Sequence, residues 1–221
     1  MSALQSLEIC SGSTLDASII WLHGLGADGY DFAPVVEALQ PMSNVRFILP
    51  HAPAIAVTVN GGYVMPAWYD IYGSDIADRQ DETGMRRSQS QIEALIDQEK
   101  NRGIEPGRIV LAGFSQGGAI ALHTGLRHGA ALAGIVALST YLPLHEKLQN
   151  ERSTENVHIP IFMAHGKFDD IIPLKTASAS RTFLEGSGYG VEWHEYPMPH
   201  SVCNEEIAAI RDFILRILPS H

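Results

Sequence analysis

Short apolar runs alternate along the chain with longer segments whose apolar positions recur at helical spacing. The apolar runs predict buried strands at 18–22, 45–49, 109–112, 134–138, 161–164 and 191–196. The amphipathic segments predict helices at 30–39, 85–102, 118–127, 174–184 and 204–218. Between the second strand and the second helix, an Asn60-Gly61 turn flanked by Val57 and Tyr63 predicts a small hairpin.

This alternation predicts an α/β fold. Strands that are apolar along their whole length indicate a mostly parallel central sheet covered by helices on both faces. With 221 residues and no repeat, low-complexity tract or linker, the chain is expected to form a single domain spanning 1–221. In such sheets ligands bind at the carboxyl ends of the strands, so the strand-to-helix junctions are the places to look for chemistry.

Composition and charge exclude several classes of protein. A hydrophobic fraction of 45% with 18% charged residues is unlike a disordered chain. The net charge of −10 disfavours binding to nucleic acid. No apolar run approaches the ~20 residues needed to span a membrane, and no basic residue precedes Arg46, which argues against a secretory signal. The isolated cysteines Cys10 and Cys203 fit a reducing compartment, so a cytoplasmic protein is expected.

The first junction of interest carries three glycines. Gly24, Gly26 and Gly29 match the G-x-G-x-x-G fingerprint of dinucleotide-binding proteins, between a predicted strand and a predicted helix. That function also needs an acidic residue at the end of the second strand, about 20 residues on. The second strand ends instead at Pro50-His51. A tight turn is therefore preferred over a dinucleotide site, and no cofactor is predicted.

The second junction contains a serine in a G-x-S-x-G motif. The segment 113–117 reads Gly-Phe-Ser-Gln-Gly and lies directly between a predicted strand and a predicted helix, which is the context of a nucleophile elbow. Small residues flank such a serine because the strand and the helix approach closely there. Ser115 is the candidate nucleophile, and the backbone N–H of Gln116 is a candidate donor to an oxyanion.

A serine nucleophile needs a histidine base and an acid, which follow it along the chain in this kind of motif. His200 alone lies between the last predicted strand and the last predicted helix. The other nine histidines precede the acid or lie on helices, inside a strand, in irregular stretches or at the terminus: His23, His51, His123, His128, His145, His158, His165, His194 and His221. Two neighbouring candidates for the acid, Asp169 and Asp170, follow the preceding strand, and spacing alone does not choose between them.

Other kinds of chemistry lack their residues. The sequence contains no H-E-x-x-H, no C-x-x-C and no P-loop motif, so neither a metal site nor a nucleotide site is predicted. Cys203 is expected to be incidental. An acidic cluster is expected to form a solvated loop: Asp75, Asp78, Asp81 and Glu82.

Five blocks of the sequence resemble the phospholipase/carboxylesterase family, which includes bacterial carboxylesterases and the acyl-protein thioesterases. They lie at 22–28, 65–70, 113–119, 137–143 and 165–173, and the block GFSQGGA at 113–119 is specific. The similarity runs from about residue 17 to residue 218, and the small bacterial carboxylesterases look most similar. The resemblance implies an α/β-hydrolase fold without a separate lid domain, and a homodimer.

The resemblance also implies roles for individual residues. It implies Ser115 as the nucleophile, Asp169 rather than Asp170 as the acid, and His200 as the base. The backbones of Leu25 and Gln116 would hold the oxyanion. The implied walls of an acyl groove are Leu25, Trp68, Tyr141 and Ile171, with core packing as the alternative for Trp68. Pro199 departs from the Gly or Met that family members often carry before the histidine.

The activity expected from the sequence is that of a serine carboxylesterase. It would hydrolyse esters of small or medium acyl groups through an acyl-enzyme at Ser115. An acyl-protein thioesterase or lysophospholipase using the same triad is the alternative, with an acylated protein as one substrate. A third hypothesis is a binding protein that has kept the fold without catalysis.

Overall fold

Seven strands form the main sheet of the computed structural model, which describes residues 4–39, 42–73 and 79–219. These strands are β1 (Ser6–Ser11), β2 (Ala17–Leu22), β3 (Val45–Pro50), β6 (Ile109–Phe114), β7 (Gly134–Leu138), β8 (Ile161–Gly166) and β9 (Val191–Tyr196). Their order across the sheet is β1-β3-β2-β6-β7-β8-β9, and only β1 runs antiparallel to its neighbour. A separate hairpin joins β4 (Ala54–Val57) to β5 (Tyr63–Pro66).

Helices cover both faces of this sheet, as the sequence predicts. They are α1 (Ala33–Ala38), α2 (Glu82–Asn101), α3 (Gln116–Gly125), α4 (His145–Glu151), α5 (Leu174–Gly186) and α6 (Asn204–Ile217). Side chains of β2 point alternately into two hydrophobic cores. Ile20 and Leu22 join the core with α2 and α3, whereas Ile19 and Trp21 join the core with α1 and α6. None of the helices in the described ranges has the length and apolarity needed to cross a membrane.

The predicted strands and helices are confirmed, except that the helix predicted at 30–39 is a 3₁₀ turn at Gly29–Phe32 followed by the short α1. The sequence pattern does not predict strand β1 or helix α4. Strand β1 lies at the edge of the sheet with half-buried and exposed positions, so it has no continuous apolar run to identify it. Helix α4 begins at His145, which was expected in an irregular stretch, and it buries only Leu148. A helix with one buried residue has no apolar periodicity to recognise.

A carboxylate explains where helix α2 begins. Helix α2 starts at Glu82 because the Asp81 carboxylate accepts the backbone N–H of Gly84. The expectation of a solvated acidic loop is therefore wrong for Asp81 and Glu82, which form the start of a helix. Asp75 and Asp78 lie outside the described residues.

Residues 58–60 form a 3₁₀ turn rather than part of the predicted hairpin strand, since Asp70 binds both the backbone N–H and the hydroxyl of Thr58.

A buried histidine on α3 links stability to pH. His123 is fully buried, and neither of its ring nitrogens has a hydrogen-bond partner among the residues described. Burial lowers its pKa to about 3, against 6.5 for an ordinary histidine. Between these two pH values the unfolded chain binds a proton that the folded chain does not bind. The folded state therefore loses stability as the pH falls through this window.

Replacing this side chain by leucine removes that dependence. As the pH falls below 6.5, the unfolding free energy of His123→Leu should decrease by about 1.4 kcal/mol less per pH unit than that of the wild type. The reason is that the variant takes up one fewer proton on unfolding. Urea unfolding at several pH values below 6.5 measures the slope. Ser90→Ala, an exposed change that removes no titratable group, serves as the control and should keep the wild-type slope. An unchanged slope in His123→Leu would contradict this assignment.

Candidate active site

The turn between β6 and α3 is strained at Ser115. Its φ of 53° and ψ of −121° lie in a region that side-chain-bearing residues rarely adopt. The two flanking glycines allow the close crossing. A Cβ atom at Gly113 would lie 2.4 Å from the carbonyl of Gly117, and one at Gly117 would lie 2.2 Å from the carbonyl oxygen of Leu22. Only glycine fits at these two positions.

Neighbouring strand ends hold this strained turn in place. The backbone N–H of Ser115 donates to the carbonyl of Leu138 at the end of β7, at 2.8 Å. The hydroxyl of Thr140 donates to the carbonyl of Ser115 at 2.7 Å. Ser115 is 8% exposed, so its hydroxyl lies at the floor of an opening rather than on the surface.

Of the two adjacent aspartates, Asp169 faces the histidine. Its Oδ2 accepts the Nδ1–H of His200 at 2.7 Å, and its Oδ1 accepts the backbone N–H groups of Ile171 at 3.0 Å and Ile172 at 2.8 Å. The Asp169 side chain has no exposed surface, whereas Asp170 is exposed. The backbone hydrogen bonds fix the orientation of the carboxylate that receives the imidazole.

The loops that carry these two side chains are joined by backbone contacts. Lys167 donates its N–H to the carbonyl of Tyr196 at 2.8 Å, and Phe168 donates to that of Met198 at 3.1 Å. A Cβ atom on Gly166 would lie 2.4 Å from the carbonyl oxygen of Met198, so the two loops touch at this glycine. The parallel pairing of β8 and β9 thus extends into the two loops.

A cavity of about 590 Å³ brings the predicted residues together. Ser115 and His200 line it, and the rings of Phe114 and His200 lie 4.7 Å apart between centroids. Leu25 and Ile171, two of the four predicted groove residues, line it as well. The remaining lining residues are Gly24, Ala27, Asp31, Phe32, Val35, Phe114, Ser201 and Val202.

Two residues expected in the groove lie elsewhere. Trp68 is fully buried behind the loop after β2, where its Nε1–H donates to the carbonyl of His23 at 2.9 Å. Its position is that of the core-packing alternative. Tyr141 shares a hydrogen bond of 2.9 Å with Tyr69 and borders a smaller cavity of about 170 Å³ beside α5. Burial raises the pKa of Tyr141 to about 12.

Two backbone N–H groups beside Ser115 have no protein acceptor. Within the described part of the chain, neither the N–H of Leu25 nor that of Gln116 donates a hydrogen bond. Gln116 is the first residue of α3, where backbone N–H groups have no partner inside the helix. Leu25 lies in the loop after β2, at the rim of the same cavity.

A buried histidine shapes the loop that carries Leu25. The Nδ1–H of His23 donates to the carbonyl of Gly24 at 2.7 Å, and its Nε2 accepts the N–H of Ala52 at 3.0 Å. Burial lowers the pKa of His23, which keeps the ring neutral and able to make both contacts. Gly26 adds a third contact by donating its N–H to the carbonyl of Pro66 at 2.8 Å.

Sequence reasoning missed most of the apolar wall. Phe32 and Val35 come from the turn and helix after the first junction, and Phe114 lies inside the serine motif. Val202 follows His200 by two residues. Each of these residues lies within a few positions of a predicted strand-to-helix junction, and that closeness along the chain is the feature of the sequence that could have identified them.

The chain is similar in sequence and in fold to several known proteins. The family model described as phospholipase/carboxylesterase matches residues 6–218. Acyl-protein thioesterase 1 of Neurospora crassa is 44% identical over 214 residues, which cover 92% of this chain and 87% of that protein. The crystal structure of Arabidopsis thaliana SOBER1 superposes with a TM-score of 0.87 at 31% identity, covering 91% of this chain and 99% of that one. For acyl-protein thioesterase 2 of Zea mays the TM-score is 0.85 at 29% identity, with coverages of 97% and 99%. The chain belongs to the phospholipase/carboxylesterase family and is a serine hydrolase with the α/β-hydrolase fold.

Proposed function

We propose that this enzyme hydrolyses the thioester bond of S-acylated proteins, with Ser115 as its nucleophile. The observation that carries the proposal is the combination of three features around one cavity. The strained Ser115 lines it, His200 lines it with its imidazole bound to Asp169, and the N–H groups of Leu25 and Gln116 have no acceptor in the described part of the chain. The preference for thioesters rests on the 44% identity to a protein named acyl-protein thioesterase. It replaces the carboxylesterase that the sequence first suggested, which is now the second candidate.

Acylation of the enzyme begins with the proton of Ser115. Its Oγ attacks the acyl carbon while His200 takes the hydroxyl proton on Nε2. Asp169 keeps the other nitrogen, Nδ1, protonated and faces the positive charge that forms on the ring. The N–H groups of Leu25 and Gln116 receive the negative charge on the carbonyl oxygen. The carbon–sulfur bond then breaks, and His200 returns its proton to the leaving thiol.

Water completes the cycle. His200 removes a proton from a water molecule, whose oxygen bonds to the acyl carbon of the acyl-enzyme. The bond to Ser115 Oγ breaks, and the serine recovers its proton from His200. One thioester and one water thus yield one carboxylic acid and one thiol. No metal or organic cofactor takes part in these steps.

The walls of the cavity suit the acyl chain. Phe32, Val35, Phe114 and Val202 offer an apolar surface next to Ser115, and burying methylene groups against such a surface contributes about 0.8 kcal/mol each. The cavity of about 590 Å³ is in the range of small-ligand sites, which is large enough for an acyl chain.

The rim of the cavity is open enough for a large leaving group. Ile171 lines the cavity and is nevertheless 63% exposed, and Phe168, three residues earlier in the same loop, is 67% exposed. A peptide chain that carries the acylated cysteine therefore has access to Ser115 from the surface. The free thiols of Cys10 and Cys203 are compatible with the cytoplasmic setting that the sequence suggests.

Removal of the nucleophile tests the triad. Ser115→Ala should lower kcat/KM for a p-nitrophenyl ester by more than about 10⁴-fold, because no covalent intermediate can form. Asp169→Asn should lower kcat by about 10⁴-fold, because an amide favours the wrong tautomer of His200. Steady-state kinetics, with thermal unfolding to confirm that each variant folds, measures both effects.

The matched control is Ser90→Ala, which changes an exposed serine on α2 and should retain wild-type rates. Wild-type turnover in folded Ser115→Ala would refute the proposed nucleophile. Wild-type turnover in folded Asp169→Asn would refute the proposed acid.

The leaving group separates the two candidate functions. Two peptides of one sequence are compared, one acylated on cysteine and the other on serine, with the same acyl chain. We expect kcat/KM, divided by the uncatalysed rate constant, to be at least about tenfold higher for the thioester, a difference of about 1.4 kcal/mol in the activation barrier. Equal or higher values for the oxygen ester would favour a carboxylesterase instead.

A bulky side chain in the groove tests where the acyl chain lies. Val35→Trp narrows the cavity, so kcat/KM should fall by about tenfold or more for long acyl chains and little for acetyl substrates. Glu37→Trp, on the exposed side of the same helix, is the control and should not change the ratio of long to short substrates. An unchanged ratio in Val35→Trp would place the acyl chain elsewhere.

A further inference from the structure

A second histidine lies against the carboxylate that binds His200. His165 is at the end of β8 and is 1% exposed. Its Nε2 lies 3.3 Å from Asp169 Oδ2, the same oxygen that accepts the Nδ1–H of His200 at 2.7 Å. Two imidazole rings therefore meet at one carboxylate oxygen, and only one of them faces the cavity with Ser115.

The hydrogen bonds of His165 fix which nitrogen carries its proton. Nε2 lies 2.8 Å from the carbonyl oxygen of Ile172, which can only accept, so Nε2 bears the hydrogen. Nδ1 has no partner among the residues described. Burial lowers the pKa of His165, so the ring is neutral and serves as a donor through Nε2 alone.

This single N–H donates to the carbonyl of Ile172, and its nitrogen also contacts Asp169 Oδ2, so His165 touches both ends of the loop that carries the acid. One end is Asp169, and the other is the carbonyl of Ile172, whose own N–H donates to Asp169 Oδ1 at 2.8 Å. The imidazole of His165, the backbone of Ile172 and the carboxylate of Asp169 are therefore all in mutual contact. Asp169 Oδ2, which accepts the Nδ1–H of His200, is thus also in contact with His165.

We propose that His165 is a positioning residue that orients Asp169 and acts on His200 only through that carboxylate. The inference rests on the triad of the proposed function. It assigns a role to a histidine that the order of residues along the chain excludes as the base. A buried histidine that only fills space in the core is the alternative, and the test distinguishes the two.

The first measurement compares side chains that differ in their donor. His165→Leu keeps most of the volume but removes the N–H, and kcat should fall by roughly 10²-fold with KM little changed, because the geometry of the base is disturbed while substrate contacts remain. His165→Gln places an amide N–H near the position of Nε2 and should recover most of the loss. The amide of His165→Asn reaches only the position of Nδ1 and should not.

The second measurement is a double-mutant cycle with the acid. In the background of Asp169→Asn, the further change His165→Leu should cost little, because its effect passes through the carboxylate. A role in packing alone would give the full loss in both backgrounds. His123→Leu, another fully buried histidine, is the control and should keep the wild-type kcat at neutral pH.

Three results would overturn the inference. They are wild-type kcat in folded His165→Leu, equal rates in the Gln and Asn variants, and a full further loss in the Asp169→Asn background. If the leucine variant does not fold, the comparison of Gln with Asn decides alone. Full activity of Asp169→Asn would refute the proposed triad itself, whereas an inactive Asp169→Asn beside a fully active His165→Leu would refute this inference alone.

Discussion

The close crossing of β6 and α3 is the constraint on which the site depends. The backbones meet so tightly that Gly113 and Gly117 have no room for a Cβ atom, and Ser115, midway between them, has a positive φ. A non-glycine residue in this conformation costs of order 1–3 kcal/mol, which the surrounding structure must offset. Hydrogen bonds from neighbouring strand ends hold the turn, and the strain leaves the side chain of Ser115 facing the cavity.

The backbone segments that carry the N–H groups of Leu25 and Gln116 are both hydrogen-bonded to residues 66–69. The side chain of Gln116 accepts the N–H of Trp68 at 2.8 Å and donates to the carbonyl of Tyr69 at 2.7 Å. The loop of Leu25 reaches the same segment through the N–H of Gly26 and the carbonyl of Pro66. Residues 66–69 therefore support both backbone segments from behind. This explains why Trp68 is buried in the core rather than exposed in the groove.

Much of the fold and the order of the site residues could be predicted from the sequence because they depend on local patterns. Continuous apolar runs identify buried parallel strands, and a serine between glycines at a strand-to-helix junction identifies the turn. The choice between Asp169 and Asp170 could not be made from spacing. It depends on the folded loop, in which the Asp169 carboxylate accepts the N–H groups of the residues that follow it. The same carboxylate faces His200, which is about 30 positions away in the chain.

The same limit applies to the walls of the groove and to the second histidine. Whether Trp68 faces substrate or core is decided by Gln116 and His23, both distant in the chain. Strand β1 and helix α4 bury too few side chains to leave a periodic pattern. The contact of His165 with Asp169 spans only four residues, but it depends on a loop that turns back on its own strand.

Mapping the site of covalent modification tests the central claim most directly. The wild-type protein is treated with a fluorophosphonate, and the modified peptide is identified by mass spectrometry. The geometry predicts one adduct, on Ser115, that is absent in Ser115→Ala and formed far more slowly in His200→Ala, because the serine then has no base. An adduct on another residue such as Cys203, or no adduct at all on the folded wild-type protein, would contradict the account.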